Sequence, residues 1–133
     1  MSETAANTSR GSSLTRGVPS GVVPYVMIAA ALVSAAIHLW LVPVVIAFDI
    51  TQAILFVLAA LGFVAGVVIY VTRYWRREFY LLMGLLAVAQ IVAYFVMGGP
   101  ANTMAIVSKS AEAIVALAAT YLYTTAEPSA STI

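Results

Sequence analysis

The residues of this chain that could do chemistry inside a membrane are few, and they fall on three separate apolar segments. They are His38 on the first segment, Gln90 on the third, and Lys109 and Glu112 on the fourth. Counted from the nearer segment ends at about 1.5 Å per residue, His38 lies about 15 Å deep, and Gln90 and Glu112 lie about 12 Å deep. Because ionisable groups in lipid face a partner or a cavity, we predict a hydrogen-bonded cluster of His38, Gln90 and Glu112.

Two kinds of chemistry fit such a cluster. His38 exchanges a proton near neutral pH and a buried carboxyl can do so too, so the pair could relay protons or bind a small cation. The simpler interpretation, which we favour, is a polar clamp that satisfies each group and fixes helix register. Lys109 can pair with Glu112 at i,i+3. It also lies only about 7 Å inside its segment, so we interpret it mainly as an interface anchor whose ammonium extends outward.

Other chemistries find little support in the residues. The HExxH, GxSxG, P-loop and dinucleotide-binding patterns do not occur, and the chain has no cysteine. A zinc site would need His38 and Glu112 with a third ligand such as Asp49, and a single histidine cannot supply a bis-histidine haem. A histidine–methionine haem would use one of three methionines: Met27, Met83 or Met97. We predict no catalytic residue, metal or cofactor, and no enzymatic activity.

The composition indicates what must position these residues. Of 133 residues, 63% are hydrophobic and only 8% are charged. A soluble domain carries roughly 25% charged residues, so most of this chain must face lipid. The formal net charge of +1 gives no sign of a nucleic-acid partner.

The apolar runs predict an all-α integral membrane protein, a four-helix bundle with antiparallel neighbours. The spans are expected at about 24–48, 50–71, 79–98 and 104–124, within a bundle of residues 22–125. The polar residues 1–21 are expected to form a disordered cytoplasmic tail, and 126–133 a short cytoplasmic tail.

Helix-end signals separate the spans. Pro43 is expected to bend or end the first helix. Asp49-Ile-Thr-Gln52 has the form of a capping box, with Asp49 as N-cap and Gln52 reaching back. Gly98-Gly99-Pro100 is a strong stop, and Asn102 or Thr103 can cap the last helix.

The arginines predict the orientation. Arg10 and Arg16 precede the first span, and Arg73, Arg76 and Arg77 lie between the second and third. The other two loops contain neither Lys nor Arg, so both termini are expected in the cytoplasm of a multi-pass cell-membrane protein. The three loop arginines could grip anionic lipid headgroups, although an ordinary topology signal is the favoured interpretation.

Small residues offer packing faces. Gly62 and Gly66 form a GxxxG pattern in the second span. Such faces let membrane helices approach closely, either within the chain, which we favour, or between two copies.

Four stretches of the sequence carry a resemblance to a known family: AAIHLWLVP (35–43), ILFVLAALGFVAG (54–66), RREFYLLMGLLAVAQIVAYFV (76–96) and IVSKSAEAIVALAATYLY (106–123). In these stretches the chain resembles a haloarchaeal family of small four-helix integral membrane proteins of unknown function. The family has an Ile-His-Leu segment, a glutamine in the third helix and Lys-x-x-Gln/Glu in the fourth. The resemblance therefore implies His38, Gln90, Lys109 and Glu112 as the positions to test, and implies no activity. Small multidrug transporters have a similar length, but they carry a glutamate in the first helix, which is absent here.

We therefore predict a small membrane protein that serves as a non-enzymatic structural or accessory subunit. Its partners are expected to be the lipid bilayer and a second copy or another membrane-complex subunit. The alternative is a small transporter or proton- or ion-conducting protein that uses the His/Gln/Glu cluster. A haem-binding electron-transfer subunit is the least favoured interpretation.

Overall fold

A computed structural model describes residues 14, 15, 17 and 19–126 of the chain. That part contains four α-helices and no strand: α1 (Val23–Val45), α2 (Ile50–Tyr70), α3 (Phe79–Val96) and α4 (Thr103–Thr125). All four are long and apolar enough to cross a membrane. The predicted all-α fold of four membrane-spanning helices is confirmed.

Two helices end earlier than the hydropathy pattern indicated. α1 ends at Val45, two residues after Pro43, and residues 46–48 form a turn. Proline cannot donate to the carbonyl one turn earlier, which weakens the last turn of the helix. α3 ends at Val96 because Gly98 adopts the left-handed conformation, with φ of 67°. In both places the apolar residues continue past the helix, so hydropathy overestimates its length.

The N-caps of α2 and α4 are side-chain oxygens. The Asp49 carboxylate accepts a hydrogen bond from the Gln52 backbone N–H at 3.1 Å. The reciprocal half of the predicted capping box is absent among the described contacts, because the Asp49 N–H donates instead to the Val45 carbonyl at 2.8 Å. At α4 the Asn102 side chain, and not that of Thr103, accepts from the Ala105 N–H at 2.9 Å.

The helices run alternately up and down. α1 packs broadly against α2 and α4, and α4 packs broadly against α3, whereas α2 and α3 meet over a smaller area. We call one end the arginine end; it holds residues 71–78, the start of α1 and the end of α4. The other, the distal end, holds residues 46–49 and 97–102. The core between them is lined mainly by alanines and larger apolar side chains, including Met27, Ala31, Phe63, Val115 and Ala119.

The glycines of α2 lie where α3 comes close. A Cβ atom built at Gly66 would collide with the Met83 sulfur, and one at Gly62 would press on the end of Leu86 at 2.8 Å. Side chains of α3 therefore fill the space that the two glycines leave open. The GxxxG face is thus occupied within the chain.

The arginine end is closed by an aromatic cluster and by the segment that precedes α1. Trp75 packs edge-on against three rings: Tyr70, Phe79 and Tyr80. The Leu14 carbonyl accepts from the Arg73 N–H at 2.7 Å, and Thr15 forms a β-bridge with Thr72. The rest of the predicted disordered tail, residues 1–13, 16 and 18, lies outside the described residues, as does 127–133 of the predicted C-terminal tail.

Candidate functional site

Glu112 forms the centre of a buried polar cluster. Its side chain is 0% exposed, on the face of α4 that packs against α1. Carboxylate Oε2 accepts hydrogen bonds from the Ser34 hydroxyl at 2.8 Å and the Ser108 hydroxyl at 3.1 Å. Oε1 accepts from the Lys109 ammonium at 2.6 Å. Every one of these neighbours is a donor, which suits an ionised carboxylate.

His38 lies one helical turn after Ser34 on the same buried face of α1. Its Nδ1 is 2.7 Å from the Ser34 carbonyl oxygen, and its Nε2 is 3.6 Å from Oε2 of Glu112. The ring also meets Phe56 of α2 edge-on, with centroids 5.0 Å apart. The i,i+4 spacing on an α-helix places Ser34 and His38 side by side against α4.

Lys109 directs its charge into the cluster. The ammonium donates a hydrogen bond to the Glu112 carboxylate. It also lies 3.4 Å from the Gln90 backbone carbonyl oxygen and 5.4 Å from the centre of the Tyr94 ring. Its side chain is 19% exposed. The sequence predicted mainly an interface anchor, but here the ammonium pairs with Glu112, which was the secondary interpretation.

Gln90 takes part differently from the prediction. Its backbone carbonyl, and not its amide, accepts from Lys109. The amide adjoins the His38 ring, although no hydrogen bond of ordinary geometry joins the two among the described contacts. The three predicted members, His38, Gln90 and Glu112, thus come together from α1, α3 and α4.

Two serines and a tyrosine belong to the site without having been predicted in it. Ser34 and Ser108 each lie four residues before an ionisable group, His38 and Glu112 respectively. That i,i+4 spacing is a signal the sequence offered. Tyr94 lies under Lys109, and its hydroxyl donates to the Pro100 carbonyl at 2.7 Å in the distal loop. Tyr94 lies four residues after Gln90, so the same spacing placed it on the face of α3 that carries Gln90.

The cluster contains two charged side chains whose charges cancel. Lys109 and Glu112 together are neutral, and the two hydroxyls complete the shell of the carboxylate. A metal cation would have to displace Lys109 to reach Glu112. In the described part of the chain, no group of three His, Asp or Glu side chains comes together.

The residues considered for haem or zinc are spread along the bundle. Met27 and Met83 are buried in the apolar core, whereas Met97 is exposed at the distal end. Asp49 caps α2, also at the distal end.

The loop arginines have partners within the chain. Arg77 donates to the Tyr123 carbonyl at 2.9 Å and lies over the Tyr123 ring at 4.0 Å. Arg76 lies 3.6 Å from the Glu78 carboxylate, and Arg73 donates to the Tyr74 hydroxyl at 3.3 Å. Arg77 therefore joins the turn that precedes α3 to the end of α4.

Comparison with known proteins gives a family and no activity. The model of a family of unknown function, DUF7475, matches residues 9–123, which include the whole cluster. No curated protein and no solved structure matches the chain.

Proposed function

The chain belongs to DUF7475, a family of unknown function, and from that premise we propose that it is a structural or accessory subunit of a membrane complex, without enzymatic activity. Its buried cluster acts as a clamp that fixes the bundle. The bilayer is its first partner, and the accessory role requires a second: another subunit or a second copy.

The observation that carries this proposal is where the buried polar residues lie. In the described part of the chain they are Ser34, His38, Ser108 and Glu112. All four belong to one cluster, in which Ser34 hydrogen-bonds to His38 and Glu112, and Ser108 hydrogen-bonds to Glu112. Lipid offers polar groups no partner, so such a cluster holds α1 and α4 in one register. Lys109 extends the clamp to α3 through the Gln90 carbonyl.

The surroundings of the cluster favour a clamp over a conduction path. Toward the arginine end, the buried side chains between the cluster and the aromatic cluster are apolar, among them Met27, Phe63 and Val115. An open groove of about 470 Å³ between α1 and α4 is lined almost wholly by apolar side chains. No polar route across the bundle is formed by the described residues.

A small proton or cation transporter is the second candidate. The observation in its favour is an ionisable pair, His38 and Glu112, at 3.6 Å inside a membrane-spanning bundle. Intramembrane ionisable residues commonly mark ion pathways.

The proposal includes a location. We place the protein in the cell membrane of a haloarchaeon, with the arginine end and both termini in the cytoplasm. The positive-inside rule supports the orientation, since Arg73, Arg76 and Arg77 lie at one end and the distal loops carry neither Lys nor Arg. At that level the arginines would contact anionic headgroups. The haloarchaeal origin rests on the resemblance of the sequence alone.

Glu112→Ala separates the two candidates. If the cluster is a clamp, purified protein in liposomes passes no more protons or cations than empty liposomes. The free energy of unfolding of the variant should then be about 1–3 kcal/mol lower than that of the wild type, because the Lys109 ammonium and two serine hydroxyls lose their acceptor.

The matched control is Ser110→Ala, which changes an exposed residue of the same helix. A flux present in the wild type, retained by Ser110→Ala and abolished by Glu112→Ala, would overturn the clamp and support transport.

A further inference from the structure

Two groups that can carry positive charge face the two oxygens of one buried carboxylate. Lys109 is bonded to Oε1 of Glu112 at 2.6 Å. The Nε2 atom of His38 lies 3.6 Å from Oε2. The two contacts differ in length by more than the spread of ordinary hydrogen bonds, so only the Lys109 contact is a formed ion pair.

The hydrogen-bond partner of Nδ1 assigns the tautomer of His38. Nδ1 lies 2.7 Å from the Ser34 backbone carbonyl, which can only accept. Nδ1 therefore carries a hydrogen, and in the neutral imidazole Nε2 is a bare acceptor. Nε2 then faces Oε2 of Glu112, which is also an acceptor. No hydrogen lies in the gap between these two acceptor atoms, and one proton bound to Nε2 would allow a hydrogen bond to form between them.

We propose that this gap is a binding site for one proton, taken up on Nε2 of His38, and that the imidazolium so formed competes with Lys109 for the Glu112 carboxylate. The new N–H points at Oε2 and can close the contact to about 2.8 Å. No covalent bond other than N–H forms, and the proton comes from water at the distal end.

The charge balance makes the two cations compete. Before uptake, Lys109 and Glu112 sum to zero. After uptake the cluster carries one net positive charge in a low-dielectric interior, which is costly. Lys109 is the partner that can leave, because its side chain is 19% exposed while Glu112 is 0% exposed. Its chain can extend toward the distal headgroups.

Among the residues that the structure describes, no charged group other than Lys109 and Glu112 lies against His38. α2 presents the Phe56 ring and contains no His, Lys, Arg, Asp or Glu. α3 presents the uncharged Gln90 amide, and the Tyr94 phenol lies beside Lys109. The other titratable neighbours are Lys109 and Glu112 of α4.

Access to the site is one-sided. Toward the distal end, Tyr94 links Lys109 to the Pro100 carbonyl in the loop. Toward the arginine end the buried core is apolar, with Met27 and Val115 fully covered. The site therefore binds and releases its proton on the distal side, without conduction, so it does not depend on the transport candidate.

The test uses the full chain, which contains a single histidine, labelled with nitrogen-15 in nanodiscs. We expect the neutral ring to be the Nδ1–H tautomer, and acidification to protonate Nε2 in one step while Nδ1 stays protonated. A neutral ring in the Nε2–H form, or a ring that stays neutral over the whole pH range in which the protein is folded, would overturn the site.

Competition is tested by Lys109→Met, which removes the rival cation and keeps the apolar stem. The proton affinity of His38 should rise at least about tenfold, so that the ring takes up its proton at a pH about one unit higher than in the wild type. Ser110→Ala is the control and should leave the affinity unchanged. An unchanged affinity in Lys109→Met would overturn the competition. Ion flux in liposomes bears on the proposed function alone, so the two ideas fail separately.

Discussion

At the residue scale, the polar cluster could be predicted only in part. His38 and Glu112 were identifiable because an ionisable group in an apolar run needs a partner. Ser34 and Ser108 gave a weaker signal, because serine in a membrane helix can bond its own backbone or serve as a small packing residue. Which group of Gln90 would be used depends on side-chain direction, and spacing along the chain does not determine it.

The contribution of Ser34 can be measured. Ser34→Ala removes the hydroxyl that donates to Glu112 Oε2 at 2.8 Å. Hydrogen bonds between membrane helices contribute roughly 0.6 to 1.7 kcal/mol, so we expect the free energy of unfolding in mixed micelles to fall by about 1 kcal/mol. Ser110→Ala, at an exposed position, should leave it unchanged. Equal effects of the two variants would mean that the Ser34 bond adds nothing specific.

At the scale of the helices, hydropathy located every span, and the errors were at the ends. The first and third spans were predicted to run past Val45 and Val96, where the chain remains apolar but leaves the helix. Backbone conformation decides these ends: Pro43 near one and Gly98 beyond the other. Hydropathy alone carries no information about either.

The contact of α2 with α3 gives a matched pair of glycine variants. A Cβ at Gly66 collides with buried Met83, so Gly66→Ala should lower the free energy of unfolding by about 1–3 kcal/mol. A Cβ at Gly84 of α3 would lie 3.8 Å from Ala119, an ordinary contact. Gly84→Ala should therefore be neutral or slightly stabilising.

Unfolding of both variants in mixed micelles measures the difference. Gly66→Ala should cost less in a Met83→Ala background than in the wild type, because Met83→Ala removes the side chain that the new methyl group meets. If Gly66→Ala is as stable as Gly84→Ala, the α2–α3 contact is looser than described.

At the scale of the whole molecule, alternation of the helices followed from short loops, but their unequal packing did not. α1 and α4, the first and last helices, share a broad contact, while α2 and α3, which are joined by one loop, share a smaller one. Ser34 and Glu112 join α1 to α4, whereas the Met83 and Leu86 side chains fill the space between α3 and the glycines of α2. Neither effect can be read from the hydropathy of single helices.

The proposed orientation can be tested because the chain has no cysteine. Ala101→Cys places one thiol in the distal loop, and Tyr74→Cys places one at the arginine end; both positions are exposed. In intact cells a membrane-impermeant maleimide should label the Ala101→Cys protein only, and opening the cells should make the Tyr74→Cys protein reactive. The reverse labelling would place the termini outside.

Two hydrogen bonds, at different positions along its axis, fix α4 relative to its neighbours. The Ser34 hydroxyl of α1 donates to Glu112 near the middle of α4, and Arg77, in the turn before α3, donates to the Tyr123 carbonyl near the end of α4. These points lie about 16 Å apart along the helix. A slide of α4 by one turn would break both contacts and bring Ala116 opposite Ser34 in one direction or Ser108 in the other, so that Ser34 would lose its carboxylate acceptor. α4 therefore determines the positions of α1 and α3 along the axis of the bundle.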